Sequence, residues 1–341
     1  MKSHRCAVVG ATGAVGLKFI ECLEKRDFPV SELVLYASLK SEGKVLHFRG
    51  KPLRILGLTQ DRIQKFDFAF FSAGSGISKE YAPLFAREGA VVIDNSSAWR
   101  MDPTVPLVVP EVNSRDAATH RGIIANPNCS TIQMVVALKP IHDAARVLRV
   151  VVSTYQAISG AGGRALEEFE GEVRSAVTGD GLSKRSIFPR PMAFNAVPQI
   201  PQKDAFEPDG YTVEERKMIE ETKKIMGDPS IRISPTCVRI PVKNGHSESV
   251  NVETERKLTA AEAVAVLRKA PGIVVSERAQ DFPTPAEISG RGETFVGRVR
   301  EDWTVPNGLH FWVVADNILK GAALNAVQIA ETLVRDRPSK S

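Results

Sequence analysis

The stretch Arg5-Cys6-Ala7-Val8-Val9-Gly10-Ala11-Thr12-Gly13-Ala14-Val15-Gly16 decides the fold. Residues 5–9 are apolar apart from the first and read as a short buried strand. Three glycines in a GxxGxxG spacing follow, and Val15, Phe19, Ile20 and Leu23 then share one face of a helical pattern. Strand, glycine turn and helix in this order open a βαβ unit. Without Cβ atoms, such a turn lets phosphate approach backbone N–H groups at the positive end of a helix. A glycine trio alone also suits a plain tight turn, but its place between strand and helix favours nucleotide binding. Gly10, Thr12, Gly13, Ala14 and Val15 are the candidate contacts.

Outward from this turn, strand-like runs recur at Glu32 to Ala37, Phe68 to Ser72, Val91 to Asp94 and Leu107 to Val109, with helical or loop segments between them. Such alternation predicts a doubly wound parallel sheet. From Arg149 the texture changes. Val150 to Thr154, Ile231 to Arg239, Ser247 to Thr254 and Phe311 to Ala315 are long, β-branched runs divided by few helices, which suggests a mixed or antiparallel sheet. Thr259 to Lys269 has helical periodicity and opens on Thr-x-x-Glu, a capping-box pattern. A last amphipathic helix is predicted from about Ile318 to Val334. The expected fold is therefore α/β: a Rossmann-type parallel-sheet domain over residues 1–128, joined by the C-terminal helix 317–336, plus an α+β catalytic domain with a mixed sheet over 129–316.

The chain has 341 residues, 43% hydrophobic and 25% charged, more than one core usually holds and too apolar for disorder. Its net charge of +5 is spread along the chain without a basic stripe, so nucleic acid is not an expected partner. The excess positive charge suits small anions focused in a cleft. No apolar run is long enough to span a bilayer, and Cys6 to Val9 arrives too soon for a signal-peptide core, so a cytoplasmic location is expected. Cys6, Cys22, Cys129 and Cys237 are scattered and form no CxxC pair, which suggests neither a metal site nor disulfides.

At the end of the second strand, an NAD-binding turn usually carries a carboxylate for the ribose 2′-hydroxyl. Here Ala37 is followed by Ser38-Leu39-Lys40-Ser41. Two hydroxyls and an ammonium suit a 2′-phosphate, so NADP is the expected cofactor, although Glu42 stands close by.

Asn126-Pro127-Asn128-Cys129-Ser130-Thr131 precedes a helical pattern through Ile132, Val135 and Val136, with Asn128 placed to cap it. A thiol in a first helical turn gains thiolate character from the helix dipole, as a covalent catalyst needs. The other cysteines lie in apolar settings and are expected to pack. Downstream stand Gln156, Ser159-Gly160-Ala161-Gly162-Gly163, and Arg239-Ile240-Pro241-Val242-Lys243-Asn244-Gly245-His246. With GATGAVG, FSAG at Phe71 to Gly74, DNSSAWR at Asp94 to Arg100, NPNCST, QAISGAG and RIPVKNGHSESV, nearly the whole chain resembles the aspartate-semialdehyde dehydrogenases, of the shorter bacterial type.

That resemblance implies Cys129 as nucleophile, Gln156 as the residue orienting substrate or thioester, and His246 as the acid/base group. It implies Arg239 for the substrate carboxylate, Glu214 near the substrate amine, and Arg100, Asn128 and Lys217 for phosphate. Ser72, Gly74, Ser159, Gly160 and Asn317 match cofactor contacts, beside Ser38, Lys40 and Ser41. Glu214 and Lys217, at i, i+3 spacing, would otherwise be an ordinary solvated ion pair, and the run Glu214-Glu215-Arg216-Lys217 permits a register error. The implied reaction reduces aspartyl phosphate to the semialdehyde in lysine, threonine, methionine and diaminopimelate biosynthesis, in a homodimer or tetramer, with small-molecule substrate and phosphate as partners. An N-acetyl-glutamyl-phosphate reductase and a catalytically silent binding paralogue are the alternatives.

Overall fold

The computed structural model describes residues 3–179 and 186–336. The chain divides into two compact units, one formed by the residues up to Asn128 and again from Ala322, the other by Cys129–Gly321. The first contains β1 (His4–Val9), α1 (Ala14–Lys25), β2 (Val30–Ala37), a hairpin of β3 (Val45–Phe48) and β4 (Lys51–Gly57), β5 (Phe68–Phe71), α2 (Ser75–Arg87), β6 (Val91–Asp94), the single-turn α3 (Pro110–Asn113) and β7 (Ile123–Ala125). Its sheet has the order β3-β4-β2-β1-β5-β6-β7, parallel except for the antiparallel edge strand β3. Strands β1 and β5 are buried almost throughout, as sheets covered on both faces require, and Phe19 of α1 packs on Phe70 of β5.

Two details of this sheet depart from the sequence reading. Leu107 to Val109 is not a strand: Leu107 makes one isolated bridge to Ala125, and the edge position belongs to β7. Pro106 and Pro110 bracket that run and cannot donate to a ladder, which leaves too few residues to pair. The β3–β4 hairpin was not anticipated, because its turn is Arg49-Gly50, both at positive φ, rather than the usual Asn-Gly or Asp-Gly signal.

The second unit contains α4 (Cys129–Ala145), β8 (Val147–Gln156), α5 (Gly163–Thr178), α6 (Val213–Met226), β9 (Arg232–Arg239), β10 (His246–Thr254), α7 (Ala260–Lys269), β11 (Ile273–Val275), the single-turn α8 (Pro285–Ile288), β12 (Thr294–Asp302) and β13 (Gly308–Ala315). Its six-stranded sheet, β11-β12-β13-β10-β8-β9, is mixed: antiparallel in the middle and parallel at the β11–β12 and β8–β9 pairs. One face packs Val150, Val152, Val250, Val252, Leu309 and Phe311 under Met134, Leu138, Met218 and Leu267 from α4, α6 and α7. Thr259 caps α7 reciprocally with Glu262, as the pattern predicted.

A π turn at Leu319–Ala323 then leads into α9 (Leu324–Asp336), which packs against α1 and β6 in the first unit. The last regular helix starts six residues later than read. The irregular turn has a local cause, since a Cβ on Gly321 would lie 2.8 Å from the Cβ of Cys129. Among the described residues, no helix is long and apolar enough to cross a membrane.

Candidate active site

In the first unit, Gly10 holds φ 88°, and a Cβ there would stand 2.3 Å from the carbonyl oxygen of Ser72. A Cβ on Gly16 would stand 2.1 Å from the oxygen of Gly10. Both glycines are therefore steric requirements of the turn between β1 and α1. Gly13 precedes α1 and supplies no side-chain cap, so the first-turn N–H groups stay available to an anion. Thr12, Gly13 and Ala14 are exposed, and Val15 is half-buried. Beside the turn, a cleft of about 390 Å³ is lined by Gly10, Thr12, Gly13, Ala37, Ser38 and Ser72, among others. A Cβ-free, uncapped helix start opening onto such a cleft fits the pyrophosphate and adenosine of a dinucleotide. Ser38 and Lys40 are exposed and Ser41 half-buried after β2. Glu42 is turned to Arg62, Oε1 to Nη1 2.6 Å. Gly74 immediately precedes α2, and Arg100 is buried, donating from Nη2 to the carbonyl of Asn95.

In the second unit, three strand ends meet at one end of the sheet. Gln156 closes β8, Arg239 closes β9 beside it in parallel register, and His246 opens the antiparallel β10. Because side chains alternate, all three point to the face that α4 and α6 cover. Cys129 begins α4, partly exposed, with its Sγ 3.2 Å from Nε2 of His246. The ring is fully buried, and the backbone N–H of Ala157 donates to its Nδ1 at 3.0 Å. Burial, and then the neighbouring Arg239 guanidinium, push His246 down to about 3, with Glu214 opposing. The imidazole is neutral near neutral pH.

The carbonyl of the same Ala157 accepts from Nη1 of Arg239 at 2.6 Å, so one residue's backbone pins both groups. Burial lowers the pKa of Arg239 while Glu214 opposes. Its Nε has no hydrogen-bond partner among the described residues. A Cβ on Gly160 would meet Arg239 Nη1 at 3.0 Å and the His246 ring at 3.2 Å, so glycine keeps that space open. Gln156 donates to Glu214 Oε1 at 3.1 Å, and Lys217 Nζ meets Glu214 Oε2 at 3.2 Å. The adjacent charges on α6 separate cleanly. Glu215 closes the capping box with Thr212 and accepts from Cys237 N, while Arg216 turns to Asp209 and stacks on Tyr211. Only Glu214 and Lys217 of that run face the Gln156 chain.

The structure thus brings Cys129, Gln156, Glu214, Lys217, Arg239 and His246 together in one unit, while Arg100 and Asn128 belong to the other. Ser159 bonds Asn317, whose Oδ1 also accepts from Gly245 N at 2.8 Å. Reading by residue type missed Asn244 and Asp316, which are joined at 2.7 Å and brace the loop before His246. It also missed Ala157, because the groups that matter there are main-chain. Chemically the cluster offers a thiol at a helix start, a neutral ring against it, and a buried guanidinium with an open donor.

Two family models match this chain: "Semialdehyde dehydrogenase, NAD binding domain" over residues 5–120 and "Semialdehyde dehydrogenase, dimerisation domain" over residues 138–320. The class is that of the semialdehyde dehydrogenases. The chain is 57% identical over 338 residues to the aspartate-semialdehyde dehydrogenase of Aquifex aeolicus, covering 98% of each protein. It is 50% identical over 335 residues to that of Legionella pneumophila, covering 97% of this chain and 95% of the relative. The crystal structure of aspartate semialdehyde dehydrogenase II from Vibrio cholerae, complexed with ASA, superposes with a TM-score of 0.94 at 47% identity, over 99% of this chain and 100% of that one. The chain belongs to the aspartate-semialdehyde dehydrogenase family.

Proposed function

We propose that the protein reduces L-aspartyl 4-phosphate to L-aspartate-4-semialdehyde with NADPH, releasing phosphate, through a thioester on Cys129. The observation that carries this reading is the Cys129–His246 contact beside the Arg239 guanidinium and the Gln156–Glu214 pair. The Cys129 thiolate attacks the acyl carbon, and the C–O bond to phosphate breaks from a tetrahedral oxyanion. His246, whose Nε2 stands against the sulfur, is the acid/base group for the proton transfers of the tetrahedral stages. Gln156, braced by Glu214, orients the acyl group. Arg239 holds the substrate carboxylate, Glu214 faces the amine, and Arg100, Asn128 and Lys217 form the phosphate site.

Ser159, Gly160 and Asn317 join the turn residues, Ser72 and Gly74 in holding the cofactor, which supplies the hydride when bound. Ser38, Lys40 and Ser41, with Glu42 held by Arg62, support NADPH over NADH. This activity belongs to lysine, threonine, methionine and diaminopimelate biosynthesis, in the cytoplasm where those reductant pools lie. The match to a dimerisation domain supports a homodimer.

The test is NADP⁺ reduction by purified protein with L-aspartate-semialdehyde, with and without phosphate, against NAD⁺. Phosphate-dependent reduction favouring NADP⁺ is expected. Turnover of N-acetyl-glutamate semialdehyde instead, or none with either, would refute the assignment, and equal efficiency with both cofactors would refute the NADPH preference.

A further inference from the structure

In the first unit, β6 and β7 pair in parallel as far as Asp94 and Ala125, at the carboxyl end of the sheet where open α/β folds bind their ligands. The next residue on each is an asparagine, and the ladder runs one step into them: Asn126 N donates to the carbonyl of Asp94 at 2.8 Å. Beyond that step the side chains take over. Nδ2 of Asn126 donates to Oδ1 of Asn95 at 2.7 Å and to the carbonyl of Ala322 at 3.2 Å, while its Oδ1 accepts from Nδ2 of Asn325 on α9 at 2.7 Å. Asn325 Nδ2 also donates to the carbonyl of Val108 at 3.0 Å. Main-chain carbonyls can only accept, so Val108 and Ala322 fix which end of each amide carries the nitrogen. Asn126 and Asn325 are fully buried, and amides satisfied in this way keep one orientation.

The run of contacts ends on a cation. Asn95 offers its main-chain carbonyl to Nη2 of Arg100 at 2.9 Å. Trp99 is tied by Nε1 to Ser78 of α2 at 2.9 Å, which places the chain here but not the long side chain of the next residue. Asn95 has its N–H on the carbonyl of Phe71 at 2.9 Å and its side chain on Asn126, so the residue is held from two sides and its carbonyl stays aimed. We propose that Asn126 is a positioning residue for phosphate, acting through Asn95 to hold the Arg100 guanidinium. This rests on the phosphate-site reading above. Arg100 is buried, so it meets an anion from a fixed direction rather than swinging in from solvent. A guanidinium grips phosphate by paired in-plane hydrogen bonds, which a small shift or tilt breaks.

The test uses the full-length protein oxidising L-aspartate-semialdehyde with NADP⁺ at varied phosphate. Asn126→Ala cuts the link inside the core, and Asn95→Ala cuts it from the half-buried side, where folding is spared. Each should raise KM for phosphate by about tenfold or more and leave KM for semialdehyde and for NADP⁺ within about twofold. Asn325→Ala removes a buried contact of the same network without touching the Asn95 link. It should lower Tm yet leave KM for phosphate within about twofold of the parent. In an Arg100→Ala background, Asn95→Ala should add less than about twofold, because the group it positions is gone. A crystal structure of Asn95→Ala should show the guanidinium displaced by about 1 Å or more. An unmoved guanidinium, an unchanged KM for phosphate in Asn95→Ala, an equal rise of all three KM values, or an Asn325→Ala effect on phosphate as large as that of Asn95→Ala overturns the proposal. If Arg100→Ala itself leaves KM for phosphate unchanged, the phosphate-site reading falls and the proposal with it. A rise in Arg100→Ala without one in Asn95→Ala refutes the proposal alone.

Discussion

Among the four thiols, position alone separates one from the rest. Cys6, Cys22 and Cys237 are buried, and burial raises each, Cys22 to about 12, so they stay protonated at neutral pH. Cys129 is partly exposed, at a helix start with its sulfur 3.2 Å from the His246 ring. Iodoacetamide should therefore modify Cys129 first in the native protein. Cys129→Ser should lower turnover by about 10³-fold or more, because a hydroxyl is scarcely ionised there. Labelling that maps to a buried cysteine, or near-parent turnover in the Ser variant, would contradict the nucleophile assignment. Arg239 and Lys217 invite a paired comparison, since the substrate carries a carboxylate at one end and phosphate at the other. With phosphate as co-substrate, Arg239→Ala should chiefly raise KM for the semialdehyde, and Lys217→Ala chiefly KM for phosphate. Equal rises of both constants in both variants would mean that the two anion sites are not separate. These side chains were legible in the sequence because their types carry the chemistry. Ala157 was not, because its contribution is one N–H and one C=O whose direction only the folded β8 end sets.

At the scale of elements, α4 and β10 face each other as two polar rungs. Cys129 meets His246, and one turn further in Gln133 stands near Glu248, two residues along the strand. Burial holds the Glu248 carboxyl well above the ordinary range, and the Gln133 amide only eases this. Neither carboxyl oxygen has a partner of good hydrogen-bond geometry among the described residues. The neutral acid is the folded form. In the unfolded chain the same group ionises in the usual carboxylate range, so unfolding releases a proton above that range. Stability should then fall as pH rises from that range toward the raised folded value. Glu248→Gln removes this titration. Urea unfolding should find the variant within about 1 kcal/mol of the parent near pH 5 and more stable than it at pH 8. A difference that does not change between the two pH values would show that Glu248 is not held neutral. This rung is not visible in the sequence reading, where Ser247 to Thr254 is a β-branched strand run with no face assigned to its polar residues. Alternation along β10 puts Glu248 on the covered face, beside His246 and Val250. The capping boxes, by contrast, follow from a four-residue pattern and are formed as read at Thr259.

For the molecule as a whole, the parallel and mixed sheets followed from the change of texture near Arg149, but strand order did not, because it depends on which distant runs pair. The errors fall at edges: Leu107 to Val109, the β3–β4 hairpin, and the short strand β11, where few residues carry the pattern. The six-stranded sheet also leaves something the hydrophobic pattern alone could not reveal. α4, α6 and α7 cover one face, while Val151, Ser153, Tyr155, Ser249, Asn251, His310 and Trp312 on the other remain half-buried, with Tyr155 and Trp312 in contact at 5.4 Å. A solvated face is common in antiparallel sheets, and the serines and Asn251 suit that state. The two aromatics suit an interface better, and the segment that forms this face lies within the match to a dimerisation domain. We therefore expect two copies to pair through it about a two-fold axis, with each Ser249 near the middle of the buried patch. Light scattering should give a dimer mass for the parent at micromolar concentration. Ser249→Lys places an unpaired ammonium in that patch while its side chain in the monomer stays half in water. It should weaken dimerisation by about 100-fold or more, with little change in the far-ultraviolet spectrum. An unaltered dimer mass down to nanomolar concentration in the variant would move the interface to another surface.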